Sequence, residues 1–151
     1  MCGGIVYDIL KIKKSELQAH YSPEEIEKFQ KTGKFETHFW DKNPTLPIEI
    51  DGGVSLKNWG NRDKTIKIPQ TGWAKSESID AGKWAHLMPK FVKIPAKEGI
   101  EKTTHFKIKS GALKGVMIKT QETEVVYMLT KPATPKYQKL TGHNREPVEI
   151  K

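Results

Sequence analysis

The sequence contains one cysteine, Cys2, and two arginines, Arg62 and Arg145. A single cysteine cannot close an intrachain disulfide, and it falls short of even half a structural zinc site. Long apolar runs are also missing. None approaches the roughly 20 residues that a membrane-spanning helix requires, which excludes an integral helical membrane protein. A basic stretch followed by an apolar one is absent from the first residues, so no secretory signal is expected. No histidine or carboxylate spacing points to metal ligands. At 151 residues the chain is expected to form one domain over residues 1–151. It is expected to be cytoplasmic, monomeric, and free of cofactor and metal.

Lysine is abundant. Lys plus Arg amounts to 26 against 18 for Asp plus Glu, a net charge of +8. Between Lys57 and Lys109 lie 12 basic and 5 acidic residues, which places +7 of that charge in one third of the chain. Lysines act as point charges suited to phosphates in general rather than to bidentate base reading. Two readings remain open: a solvated surface that maintains solubility, or an electrostatic footprint for a nucleic-acid backbone.

Local patterns predict an α+β fold. Residues 3–10 form a β-branched run that reads as a core strand. The clearest helix spans residues 21–33. Ser22 caps it, Pro23 takes the first helical position and Glu25 completes a capping box. Tyr21 and Ile26 staple its start, and Gly33 provides a left-handed end. Strands are predicted at residues 35–40, 91–94, 104–109, 113–119 and 124–130, with a hairpin of residues 46–50 and 54–56 around Asp51-Gly52-Gly53. Residues 57–90 show no sustained period, and a stretch of that length inside a domain is usually functional or disordered. Trp59, Trp73 and Trp84 argue against disorder, and Trp59 and Trp84 are assigned to packing. The predicted architecture is a mostly antiparallel, curled and barrel-like β core with a few short helices.

The most reactive feature lies at the start. Removal of Met1, which a small second residue generally permits, would leave Cys2 with an α-amine of pKa about 7.7–8.0 beside a thiol of about 8.5. This 1,2-aminothiol condenses with an aldehyde to a Schiff base, and thiol addition then closes a five-membered thiazolidine. Gly3 and Gly4 are expected to leave room for a substrate. The plain alternatives are a frayed terminus and a small buried hydrophobe.

Two enzyme groups share this beginning. Class II glutamine amidotransferases also open with a processed Cys-Gly, but their glutamine-binding arginine-glycine and asparagine-glycine-aspartate signatures are not found here. The second group accounts for more of the chain. Met1-Cys2-Gly3, Trp59-Gly60 with Gly72-Trp73-Ala74-Lys75, Ile94-Pro95-Ala96 with Gly99-Ile100-Glu101, and Gly142-His143-Asn144-Arg145-Glu146-Pro147-Val148 follow one another in order. In that order they resemble the SOS-response-associated peptidase family, the abasic-site processing proteins, in a short form.

The resemblance implies covalent capture of abasic sites in single-stranded DNA during the DNA-damage response, with self-processing to expose Cys2. Cys2 would supply amine and sulfur, and Glu101 a general acid/base. His143 would assist sugar ring opening and crosslink reversal. Arg145 would hold a phosphate, and Trp73 would stack beside a base or pack in the core. The family's asparagine-alanine-arginine segment is replaced by Asp80-Ala81-Gly82, so the role of Asp80 is open, and Lys75 or Lys83 would replace the missing arginine charge. Lys102 stands where longer members carry tryptophan. His20, His38 and His86 are read as structural or solvated. The competing functions are an N-terminal-nucleophile glutamine amidohydrolase and a non-enzymatic basic module that binds single-stranded DNA.

Overall fold

A computed structural model describes residues 2–150. Strand β1 (Gly4–Asp8) passes through a 3-10 turn into two helices, α1 (Lys14–His20) and α2 (Pro23–Thr32). Helix α2 carries the predicted capping box, with Ser22 and Glu25 reciprocally bonded, and Gly33 ends it at φ 70°. Its apolar face, Ile26 and Phe29, packs in one cluster with Tyr21, Phe35, Tyr7 of β1 and Leu56. Helix α1 escapes the sequence pattern because it buries only Leu17 and has no side-chain cap.

After β2 (Lys34–His38) comes the predicted hairpin, β3 (Thr45–Ile50) and β4 (Gly53–Trp59). Next are β5 (Trp73–Lys75), α3 (Ser76–Asp80), β6 (Lys90–Pro95), β7 (Glu98–Glu101) and β8 (Thr104–Lys107). Strands β9 (Ala112–Lys119) and β10 (Glu124–Pro132), helix α4 (Pro135–Thr141) and β11 (Arg145–Pro147) complete the chain.

Two sheets result. One is antiparallel in the order β2-β1-β7-β8. The other runs β3-β4-β10-β9-β6 and is mixed. Strand β10 is its hub: β4 and then β5 pair with it in parallel, while β9 and then β11 pair antiparallel. Both faces of β10 are covered, Val126 and Met128 in one cluster and Val125, Tyr127 and Leu129 in another, so residues 125–130 are all buried and the run lacks alternation.

The expected barrel is corrected in part. End strands β3 and β6 approach each other, and Lys93 pairs with Glu49 across the gap at 3.4 Å. No ladder joins the two strands, so the sheet curls without closing.

The segment over residues 57–90 is ordered by tertiary packing. Ile68, Ile79, Trp84 and Leu87 cover Val116, Ile118, Tyr127 and Leu129 on the outer face of the second sheet. The Tyr127 hydroxyl donates to the Pro69 carbonyl at 2.7 Å. Trp59 is buried and Trp84 stacks edge-on against Tyr127, as their assignment to packing requires. Among the described residues, no helix is long and apolar enough to cross a membrane.

Candidate functional site

Cys2 lies between the two sheets with 0% exposure, in the cluster of Ile5, Leu46, Ile48, Trp59 and Ile94. Its backbone is not frayed. The Gly3 amide donates to the Ile100 carbonyl at 2.8 Å, and the Phe39 amide donates to the Gly3 carbonyl at 2.9 Å. These bonds extend the pairing of β1 with both neighbours back past its first residue. The removal of Met1 falls outside the described residues.

The glycines after Cys2 make room for aromatic side chains. A Cβ on Gly3 would come within 2.7 Å of the Trp40 ring, and one on Gly4 within 2.7 Å of His38 Nδ1 and 2.9 Å of the Thr37 carbonyl. The space that the sequence reading allotted to a substrate is therefore filled by Trp40 and His38, whose rings lie 4.7 Å apart.

The Cys2 thiol donates to the Gly4 carbonyl at 3.0 Å. Burial pushes its pKa up to about 12, more than its hydrogen bonding with the Ile100 and Gly4 backbone offsets. Glu101, at the end of β7, is one residue beyond the strand pair Gly4–Ile100 and is 5% exposed. Its negative charge adds to the upward pressure on the Cys2 thiol. Tyr137 on α4 completes this buried group, its hydroxyl 3.5 Å from Glu101 Oε2. Desolvation, followed by the charges of Cys2 and Glu101, drives the Tyr137 hydroxyl well above its ordinary range, so it stays a donor.

Tyr137 was not legible as a site residue. Its helix was, in principle: Thr134 caps it and Pro135 occupies its first turn. Gly99 helps to seat Tyr137, because a Cβ there would collide with the Phe106 ring at 2.3 Å. Phe106 lies across Gly99 in the β7–β8 pair and meets Tyr137 edge-on at 5.1 Å.

Trp73 is brought to Cys2. Its indole N–H donates to the Cys2 carbonyl at 2.9 Å, and its ring packs on Phe39 and Trp59 at 4.8 and 6.0 Å. Of the two roles left open for Trp73, the structure shows packing and support of the Cys2 backbone.

His143 follows the Gly142 cap of α4 and is half-buried. Its Nδ1 accepts the Arg145 amide at 3.2 Å, which assigns the proton of the neutral ring to Nε2. Arg145 grips Glu77 of α3 with both Nη atoms, at 2.8 and 3.0 Å, and also donates to the Thr130 carbonyl. The hydrogen bond from Arg145 lowers the Glu77 pKa to about 2. A phosphate would compete with Glu77 for this guanidinium. Lys75 pairs with the same Thr130 on β10 and is exposed. Lys83 and Asp80 lie exposed beyond and at the end of α3, in the stretch that covers the second sheet. Among the described residues, no three His, Cys, Asp or Glu side chains are arranged to hold a metal ion.

No protein-family model and no curated protein matches the chain. The fold is similar to that of a protein from Bacteroides thetaiotaomicron solved by X-ray crystallography. The likeness has a TM-score of 0.58 at 14% identity and covers 97% of this chain and 75% of that one.

Proposed function

We propose that this chain covalently captures abasic sites in single-stranded DNA through Cys2, after Met1 is removed. The observation that carries the reading is the buried group of Cys2, Glu101 and Tyr137, held where two strands anchor the Cys2 backbone. A cysteine serving only as a core hydrophobe has no need of a carboxylate in its apolar surroundings, and burying one is costly.

The proposed steps run in this order. A thiol at about 12 is protonated at neutral pH, so the α-amine attacks first. The amine adds to the ring-opened deoxyribose aldehyde, and water leaves to give the imine. The sulfur then bonds to the imine carbon, the thiol proton departs and the imine nitrogen takes up a proton, closing the thiazolidine. Glu101 would relay protons in both steps. His143 Nε2, with Nδ1 fixed by its own loop, would serve ring opening and reversal of the crosslink. Arg145, Lys75 and Lys83 are the proposed phosphate contacts, the first after exchange of Glu77 for phosphate. The protein would act as a monomer on DNA in the cytoplasm or nucleoid, and release of Met1 would be its peptidase activity.

The test is the Cys2→Ala variant. It should lose the stable adduct yet keep salt-sensitive binding to the strand. An adduct of unchanged yield would overturn the reading, as would wild-type protein that hydrolyses glutamine and leaves abasic DNA untouched. Glu101→Gln and His143→Ala should slow crosslinking or its reversal, and unchanged kinetics in both would remove them from the site.

A further inference from the structure

The residues that the sequence motifs single out leave little exposed aromatic or arginine surface beside Cys2. Trp73 is packed and bonded to the Cys2 carbonyl, and Arg145 is held by Glu77. Two other residues offer such surface. Trp40 is 59% exposed although its ring lies against Gly3, the neighbour of Cys2. It also meets the tilted ring of His38 at 4.7 Å. It is thus a large indole with an open face immediately beside the reactive residue.

Arg62 braces the same short segment from the second sheet's side. Its guanidinium lies 4.9 Å from the centre of the Phe39 ring and donates to the Asp41 carbonyl at 2.7 Å, so it touches the residues on either side of Trp40. Unlike Arg145, Arg62 bonds to no carboxylate among the described residues. Its acidic neighbours are engaged elsewhere: Asp41 accepts the His38 amide, and Asp63 accepts the amide and hydroxyl of Thr65. Arg62 and Lys42 line a hollow of about 300 Å³ together with Asn43, Asn61 and Asp63.

We propose that Trp40 and Arg62 form a non-covalent seat for single-stranded DNA next to the lesion, Trp40 stacking on a base and Arg62 holding a phosphate of that strand. The proposal rests on the reading of Cys2 as the capturing residue, and it assigns the neighbouring contact to side chains outside the family-like motifs. An exposed aromatic face takes any base, which suits capture of damage at arbitrary sequence. A guanidinium already oriented by one carbonyl and one ring retains free N–H donors for phosphate oxygens. The bland alternative, a lone exposed indole with a solvated arginine, makes neither contact.

The experiment measures anisotropy of a fluorescein-labelled oligothymidylate without any lesion, titrated with full-length protein over a range of salt. Trp40→Ala should weaken binding about tenfold, and Trp40→Phe should recover most of it. Arg62→Gln should weaken binding and reduce the salt slope by about one. Melting temperatures of all three should stay near wild type. Binding within twofold of wild type in Trp40→Ala and Arg62→Gln, with an unchanged salt slope, would overturn the seat, and so would absence of wild-type binding at low salt. The adduct at Cys2 is scored separately by mass on abasic DNA. An adduct with an inert Trp40 and Arg62 sinks the seat alone, whereas binding that depends on them without any adduct sinks the capture reading alone.

Discussion

The indole nitrogen of Trp73 donates a 2.9 Å hydrogen bond to the carbonyl oxygen of Cys2, joining residues 71 positions apart in sequence. It ties β5 of the second sheet to Cys2, two residues before β1 of the first. Trp73→Phe keeps most of the ring and removes the donor. The expected cost is about 1–2 kcal/mol of stability, from one lost hydrogen bond with its acceptor left buried. Crosslinking should slow because Cys2 is held less firmly. Urea unfolding and adduct kinetics check this; an unchanged rate would confine Trp73 to packing.

A thiol whose pKa burial has raised to about 12 carries very little thiolate at pH 8. Native Cys2 should therefore react with iodoacetamide at least ~100-fold more slowly than free cysteine, and unfolding in guanidinium should restore the rate. The same shift has a pH signature. The folded-state pKa lies above the unfolded one, so its contribution is intact below pH 9.0 and is lost as pH rises toward about 12. Cys2→Ala should remove this alkaline component. Rapid alkylation of folded protein would contradict the buried, protonated thiol.

Tyr137→Phe deletes one hydroxyl facing Glu101 and preserves the edge-on contact with Phe106. Adduct formation is expected to fall about tenfold through poorer positioning of Glu101, with little change in melting temperature. Tyr137→Ala, which also empties core space, should cost about 3 kcal/mol or more. Equal rates for wild type and Tyr137→Phe would show that the hydroxyl serves structure alone.

Glu77 and Arg145 give an acid-side prediction. The folded-state pKa of Glu77 is lowered from 4.5 to about 2, chiefly by hydrogen bonding to Arg145. Its contribution is present above the unfolded value and is lost as pH falls from about 4.5 to about 2. Glu77→Gln should be less stable than wild type at neutral pH, and the two should converge near pH 2. By freeing Arg145, the same change should strengthen binding to single-stranded DNA. Weaker binding would mean that Glu77 positions Arg145 for DNA instead of competing with it.

How legible all this was in the sequence depended on how local the determining forces are. Helix α2 was readable because Ser22, Pro23, Glu25 and Gly33 act within a few residues of one another. The β3–β4 hairpin was readable for the same reason. Strand β7 was not, since its four residues are defined by pairing with β1 and β8. The curled sheet was anticipated but not its open seam, which depends on β3 and β6, far apart in sequence, meeting without a ladder. At the site, Cys2 and Glu101 stood out through motif order. Tyr137, Trp40 and Arg62 did not, because each acquires its place only through tertiary contact: Tyr137 with Glu101 and Phe106, Trp40 with Gly3, and Arg62 with Phe39 and Asp41. Gly3 and Gly4 were read correctly as positions of close approach, with the wrong occupant.

The central claim concerns one bond to one residue. The most direct measurement is intact mass spectrometry of the protein before and after incubation with an abasic single-stranded oligonucleotide, followed by peptide mapping. Loss of Met1 and a stable adduct mapped to Cys2, its mass equal to protein plus oligonucleotide less one water, is the predicted result. Retained Met1, or a processed protein that forms no adduct, would contradict the account.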